Sequence, residues 1–118
     1  IARANLEEAG VSDSVEIVVG PAIDGLRALP AEPVVDFAYL DADKTGYPDY
    51  YDELIPRMNR GGLLAIDNVF MGGRILDTDP DEGTAAVQGL NDHILDDPRV
   101  DSVMLGMADG LTMVRVRD

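Results

Sequence analysis

Continuous apolar runs alternate along this chain with segments whose apolar residues recur every three to four positions, and that alternation sets the expected elements. Ile1, Leu6 and Ala9 stand among polar residues with Gly10 behind them, which predicts the tail of a short helix. "VEIVVG", Val15 to Gly20, is β-branched and runs into Pro21, so it predicts a strand that stops at a turn. Ala22 to Leu29 places its apolar residues on one helical face and is closed by Pro30 and Pro33. "VVDFAYLDA", Val34 to Ala42, is too continuous for a strand with one wet face, so burial on both faces is expected.

A third helix is predicted over Tyr47 to Asn59, with Pro48 in its first turn and the Gly61 and Gly62 region beyond its end. "GLLAIDN", Gly62 to Asn68, is the next apolar strand, and the loop Val69 to Gly83 follows it. Apolar positions 87, 90, 94 and 95 predict a helix across Thr84 to Leu95. "VDSVMLGM" and "LTMVRVR", on either side of the turn "ADG", predict a closing hairpin. Strands and helices in this order define an α/β layer fold with a mainly parallel sheet and a C-terminal antiparallel hairpin.

With 118 residues, the chain is long enough for one modest domain or part of one. Its first residue is Ile1 and its opening segment reads as a helix in progress, so a chain without its beginning is expected. The net charge of −14 is spread along the sequence; it disfavours nucleic acid and anionic membrane surfaces and favours a bound divalent cation. There is no cysteine, which excludes disulfides and thiolate metal sites. No signal-peptide pattern is present and no apolar run approaches the roughly 20 residues that span a bilayer. A soluble, cytoplasmic protein is the expectation.

The candidate chemistry gathers where two strands end. In open α/β sheets the ligand crevice lies outside the carboxyl ends of the strands. Asp41 and Asp43 stand at that end of one strand, and Asp67 and Asn68 at that end of the next. If the two strands are parallel neighbours, Asp41, Asp67 and Asn68 converge as three oxygen donors, a set suited to Mg²⁺ or Ca²⁺ rather than zinc. The same residues also suit turns and helix caps, where Asp and Asn are common. Lys44 is the single lysine of the chain, three residues beyond Asp41. A lysine, unlike an arginine, can release its proton in a protein and act as a base, although an exposed lysine is the plain alternative. His93 lies in a helix away from the strand ends, the "MGGR" segment lacks the spacing of a phosphate-binding loop, and Tyr47, Tyr50 and Tyr51 read as packing residues of which one could face the crevice.

Taken together, "YLDADKTGYPDYY", "GGLLAIDNVFMGGR", "DPRVD" and "DGLTMVRVR" resemble the cation-dependent class I O-methyltransferases, the caffeoyl-CoA and catechol O-methyltransferase group. The similarity extends to "IARANLEEAGVSDSVEIVVGPA" and so covers essentially the whole chain. The resemblance implies a Rossmann-like methyltransferase fold, S-adenosylmethionine as methyl donor, a divalent cation (Mg²⁺, with Ca²⁺ or Mn²⁺ as options), a small phenolic or catechol-like acceptor and a homodimer. It implies that Asp41, Asp67 and Asn68 are metal ligands, with Asp41 also at the substrate. Ala22, Asp43 and Tyr50 match positions that contact S-adenosylmethionine, and Lys44 matches a proposed general base. Many relatives have tryptophan where this chain has Met71. The family's strand order, 3-2-1-4-5-7-6, also implies that the first two strands, with the glycine-rich cofactor loop, precede Ile1; residues 1–118 are then the C-terminal part of a methyltransferase domain.

Two other readings of the same residues stay open. "FAYLDADKT" also fits a haloacid-dehalogenase-like phosphohydrolase, with Asp41 as nucleophile, Asp43 as acid/base and Asp67 as Mg²⁺ ligand. A catalytically incomplete fragment, with a metal site and no turnover, is the non-enzymatic reading.

Overall fold

The computed structural model describes residues Ile1–Asp118. Two apolar runs, from the stretches read as buried strands, become β1 (Val35–Leu40) and β2 (Met58–Asp67), and the hairpin supplies β3 (Val100–Leu105) and β4 (Leu111–Val116). They form one sheet in the order β1-β2-β4-β3. β1 and β2 pair in parallel, whereas β4 is antiparallel to both β2 and β3. Within this chain the sheet is therefore mixed: the expected parallel pairing forms once, and the hairpin contributes the rest. The order corresponds to the 4-5-7-6 side of the sheet that the resemblance implies.

Register decides which side chains are buried. Leu40 lies beside Ile66, and Leu64 beside Val114, so these residues share one face of the sheet. Against that face pack α3 (Tyr47–Leu54) and α4 (Glu82–Asp96), through Tyr47, Tyr51 and Leu54 and through Val87, Leu90 and Ile94. Ile23 and Leu26 of α2 (Ala22–Ala28) join the margin of this core. Each Leu or Ile buried in this way stabilises the fold by about 1.5–3 kcal/mol. α4 begins where Asp81 accepts the Thr84 backbone N–H at 2.7 Å, which satisfies one of the free donors of the first turn. The opposite face of the sheet carries no helix, and Phe37, Tyr39 and Val103 are exposed on it, so within this chain β1 is buried on one face and not on both as its continuous apolar run predicted.

Three further expectations are corrected. Val15–Gly20 is not a strand: after α1 (Ala2–Glu8) and a short 3₁₀ turn at Ser12–Ser14, its backbone continues without entering the sheet, and Val18 and Val19 face solvent. The run has strand propensity but no neighbouring strand to receive its N–H and C=O groups, and propensity alone does not form a ladder. The helix predicted to Asn59 stops at Leu54 and tightens into a 3₁₀ turn at Ile55–Arg57. Pro56 lacks the N–H that would continue the α-helical ladder, and Met58 is already paired with Val35. As a result β2 starts four residues earlier than the glycines suggested. Finally, Leu95 belongs to α4 but lies off its buried face and is exposed.

Candidate active site at the strand ends

The parallel pairing of β1 and β2 brings the expected clusters side by side. Leu40 and Ile66 are register partners, so Asp41 leaves β1 next to Asp67 at the end of β2, about 5 Å being the usual spacing of neighbouring strands. Lys44 starts a 3₁₀ turn, Lys44–Gly46, that runs directly into α3. Its Nζ donates to Asp41 Oδ1 at 3.1 Å and to the Tyr47 hydroxyl.

Tyr47, fully buried, joins the two strand ends. Its hydroxyl lies 3.0 Å from Asp67 O and 3.3 Å from Leu40 O, and it accepts from Lys44. On the other side of Asp67, the Tyr39 hydroxyl donates to Oδ2 at 2.5 Å and the Asn68 backbone N–H donates to Oδ1 at 2.7 Å. These bonds, Tyr39 first, hold the Asp67 carboxyl below its ordinary range against the opposing effect of desolvation, with the Lys44 charge adding to them. Tyr39 is pushed up to about 12, chiefly by the same hydrogen bond. For Lys44, partial burial favours the neutral amine, but the bonds to Tyr47 and Asp41 outweigh it and hold the pKa above the ordinary lysine value.

Asp43 has a different role from Asp41. Its Oδ2 caps the 3₁₀ turn by accepting from Gly46 N at 3.1 Å, and its Oδ1 accepts from the Tyr50 hydroxyl at 2.5 Å. The Tyr50 bond is the main cause that lowers the Asp43 pKa, and it pushes Tyr50 up to about 12. Tyr50 in turn walls a cavity of about 470 Å³ between α2 and the end of β1, shared with Ala22, Asp41 and Ala42. The structure thus brings Ala22, Tyr50 and Asp41 to one cavity and sets Asp43 behind Tyr50, outside the wall. Gly46 makes this possible, since a Cβ there would lie 2.6 Å from the Tyr50 ring.

The donor set fits a hard divalent cation. No three His, Cys, Asp or Glu side chains cluster for a metal anywhere in the chain, so the strand ends offer two carboxylates and the amide of Asn68. All three are oxygen donors, Asp67 is held ionised, and Asp41 is half exposed with one partner, Lys44. Asn68 adopts φ 59°, a left-handed conformation that asparagine tolerates better than most residues.

Two residues at this site, Tyr39 and Gly46, escaped the sequence reading, and Tyr47 is named there only as one of three packing tyrosines of which one could face the crevice. Tyr39 could have been found from strand periodicity, because it sits beside Ala65, two residues before Asp67 on the same face. Tyr47 carried a helical i,i+3 spacing from Lys44. Gly46 left no sequence signal, because its need is set by a ring four residues along the chain. His93 is where expected, off the strand ends, edge-on to the Tyr51 ring and 3.6 Å from Asp52.

Comparison with known proteins bears on what this arrangement does. The chain is 40% identical over 112 residues to "Probable caffeoyl-CoA O-methyltransferase 1" of Dictyostelium discoideum, covering 91% of this chain and 49% of the relative. It is 38% identical over 122 residues to the catechol O-methyltransferase of Mycobacterium tuberculosis, covering 99% of this chain and 55% of the relative. The crystal structure of the O-methyltransferase TomG from Streptomyces achromogenes, in complex with SAM, superposes with a TM-score of 0.90 at 30% identity, covering 99% of this chain and 56% of TomG. The chain spans about half the length of the curated relatives it matches. None of these findings supports the phosphohydrolase alternative, and the acid/base role it gave Asp43 falls on a carboxylate already engaged as a turn cap. The family profile described as O-methyltransferase matches residues 1–117, and the chain belongs to that family.

Proposed function

We propose that this chain is the C-terminal part of a methyltransferase domain that transfers a methyl group from S-adenosylmethionine to an oxygen of a small phenolic or catechol-like acceptor, with assistance from a divalent cation. The observation that carries the reading is the meeting of Asp41, Lys44, Asp67 and Asn68 at two adjacent strand ends, beside a cavity walled by Ala22 and Tyr50. The relatives named for catechol and caffeoyl-CoA and the TomG complex with SAM support it.

Asp41, Asp67 and Asn68 would hold the cation, Mg²⁺ first among the candidates. When bound, a divalent cation lowers the pKa of a coordinated acceptor hydroxyl and orients it. Ala22 and Tyr50 border the space for the methyl donor, and Asp43 keeps the Tyr50 ring in place through its hydroxyl. Lys44 is the candidate base. Its proton is held by Tyr47 and Asp41, and a cation that shared the Asp41 carboxylate would loosen that hold, as a base role requires. The free edge of β1 and the unpaired Val15–Gly20 run support the reading as part of a larger sheet. No helix is long and apolar enough to cross a membrane; a homodimer in the cytoplasm completes the proposal.

Calorimetric titration of S-adenosylmethionine into the complete protein that carries this chain, with and without Mg²⁺, tests it. Cation-dependent binding that Asp67→Ala removes is expected. Equal binding by Asp67→Ala would refute the ligand assignment, and hydrolysis of an aryl phosphate without cofactor binding would return the phosphohydrolase.

A further inference from the structure

The segment that leaves β2 is conformationally demanding. Asn68, Met71, Gly72 and Gly73 have φ of 59°, 53°, 65° and 91°, so four of six consecutive residues lie in the left-handed region. For the two that are not glycine this costs about 1 kcal/mol or more each. Something outside the segment must hold it.

The tip of the β3–β4 hairpin does so. Val69 N–H donates to Gly110 O at 3.4 Å, Phe70 N–H to Asp109 O at 2.9 Å, and Gly72 N–H to Asp109 Oδ1 at 2.6 Å. Met71 N–H returns to Asn68 O at 3.0 Å, which passes the restraint back to the donor residue. Gly110 permits the approach: it has φ 79°, and a Cβ there would lie 2.7 Å from the Phe70 ring. Asp109 therefore grips the segment with its backbone and its carboxylate together, and that carboxylate bonds to Gly72 alone.

We propose that Asp109 is a positioning residue for the strand-end oxygen donors: its clamp on Phe70 and Gly72 fixes Asn68 in its left-handed conformation and so presets the third donor of the cation set. This rests on the reading of Asp41, Asp67 and Asn68 as cation ligands. Asp109 itself is not a ligand. Its part is to remove the ordering of Asn68 from the cost of binding.

Mn²⁺ binding to the 118-residue chain, followed by the paramagnetic resonance of the free ion, tests the proposal, together with three-bond NMR couplings that report the Asn68 φ. Asp109→Ala is expected to weaken Mn²⁺ binding about tenfold or more, to release the Asn68 coupling toward an averaged value and to leave the thermal midpoint nearly unchanged. Asp109→Asn, which loses the charge but keeps the acceptor oxygen, should stay within about threefold of the parent. If Asp109→Ala fails to fold, Asp109→Ser takes its place, since its shorter side chain withdraws the oxygen from Gly72. Unchanged Mn²⁺ affinity and unchanged coupling in the folded variant overturn the proposal. Equal weakening in Asp109→Ala and Asp109→Asn overturns it in favour of a charge effect. A parent chain that binds no Mn²⁺ overturns the ligand reading, and the coupling then decides the clamp by itself.

Discussion

Val15–Gly20 and Leu63–Ile66 are both apolar runs that sequence pattern alone reads as strands, yet they end in opposite environments. Leu64 and Ile66 are fully buried between β1 and β4, whereas Val19 is 86% exposed and no strand lies beside it. Side-chain chemistry does not separate the two. The difference is whether the backbone N–H and C=O groups meet a partner, because an apolar run becomes a strand only where a neighbour completes its ladder. The contrast continues at the functional level. The β1–β2 pair carries the candidate donors, while the unpaired run contributes Val18 and Gly20, with Pro21 and Ala22 directly after them, to the wall of the cavity.

Substitutions on the two sides of this contrast should differ sharply, with the largest effects on the sheet and its helices. Asp97 is a buried carboxylate that takes Arg99 at 2.7 and 2.9 Å and the Tyr51 hydroxyl at 2.9 Å. Asp97→Ala leaves that hydroxyl unpaired and Arg99 without its partner, at an expected cost of about 2–4 kcal/mol in urea unfolding. Ile66→Ala, beneath α3 and α4, should cost a similar or slightly smaller amount, about 2–4 kcal/mol. If either variant unfolds with the parental midpoint, the sheet is not where the stability of this chain resides.

Asp97 also sets a pH dependence. Its carboxyl is held far below the ordinary range, first by the Arg99 side chain, against burial, and further by the Arg99 N–H and Tyr51. The unfolded chain takes up that proton near pH 4 and the folded one only at much lower pH. The stabilisation is therefore complete above pH 5 and is lost progressively as the pH falls below about 4. Asp97→Asn should flatten the acid limb of the stability profile, and an unaltered limb would remove Asp97 from this role.

A smaller effect is expected at the turn between the two regions. Gly46→Ala forces the Tyr50 ring away from Asp43 at an expected cost of about 1–3 kcal/mol, and it should weaken S-adenosylmethionine binding more than Tyr50→Phe, which keeps the ring and loses the bond. The reverse ranking would show that the bond to Asp43, not the position of the ring, matters to the cavity. The smallest effect belongs to the unpaired run: Val19→Ser should change stability by less than about 0.5 kcal/mol. A loss above that would mean that Val19 is covered in solution.

Much of the fold was legible in the sequence. The continuous run of β1, the helical spacing of α4 and the "ADG" turn each led to the element observed, because each pattern matches its local geometry. Helix ends were less legible, since the termination of α3 depends on Pro56 and on the pairing of Met58 with Val35, a residue 23 positions earlier. At the candidate site, Asp41, Asp67 and Asn68 could be named from strand-end position, and Lys44 from being the single lysine. Tyr39 on Asp67 and Asp109 on Gly72 join residues 28 and 37 positions apart. No local pattern encodes such contacts.

The sequence by itself determined which segments can be strands and helices, and which donors stand at their ends, because those properties follow from spacing along one stretch of chain. Tertiary structure decided the rest: that one apolar run stays unpaired while another is buried, that Tyr47 ties Lys44 to both strand ends, and that a distant hairpin tip holds Asn68. Each depends on which groups are brought within hydrogen-bonding distance, about 3 Å, and only the packed chain sets those distances.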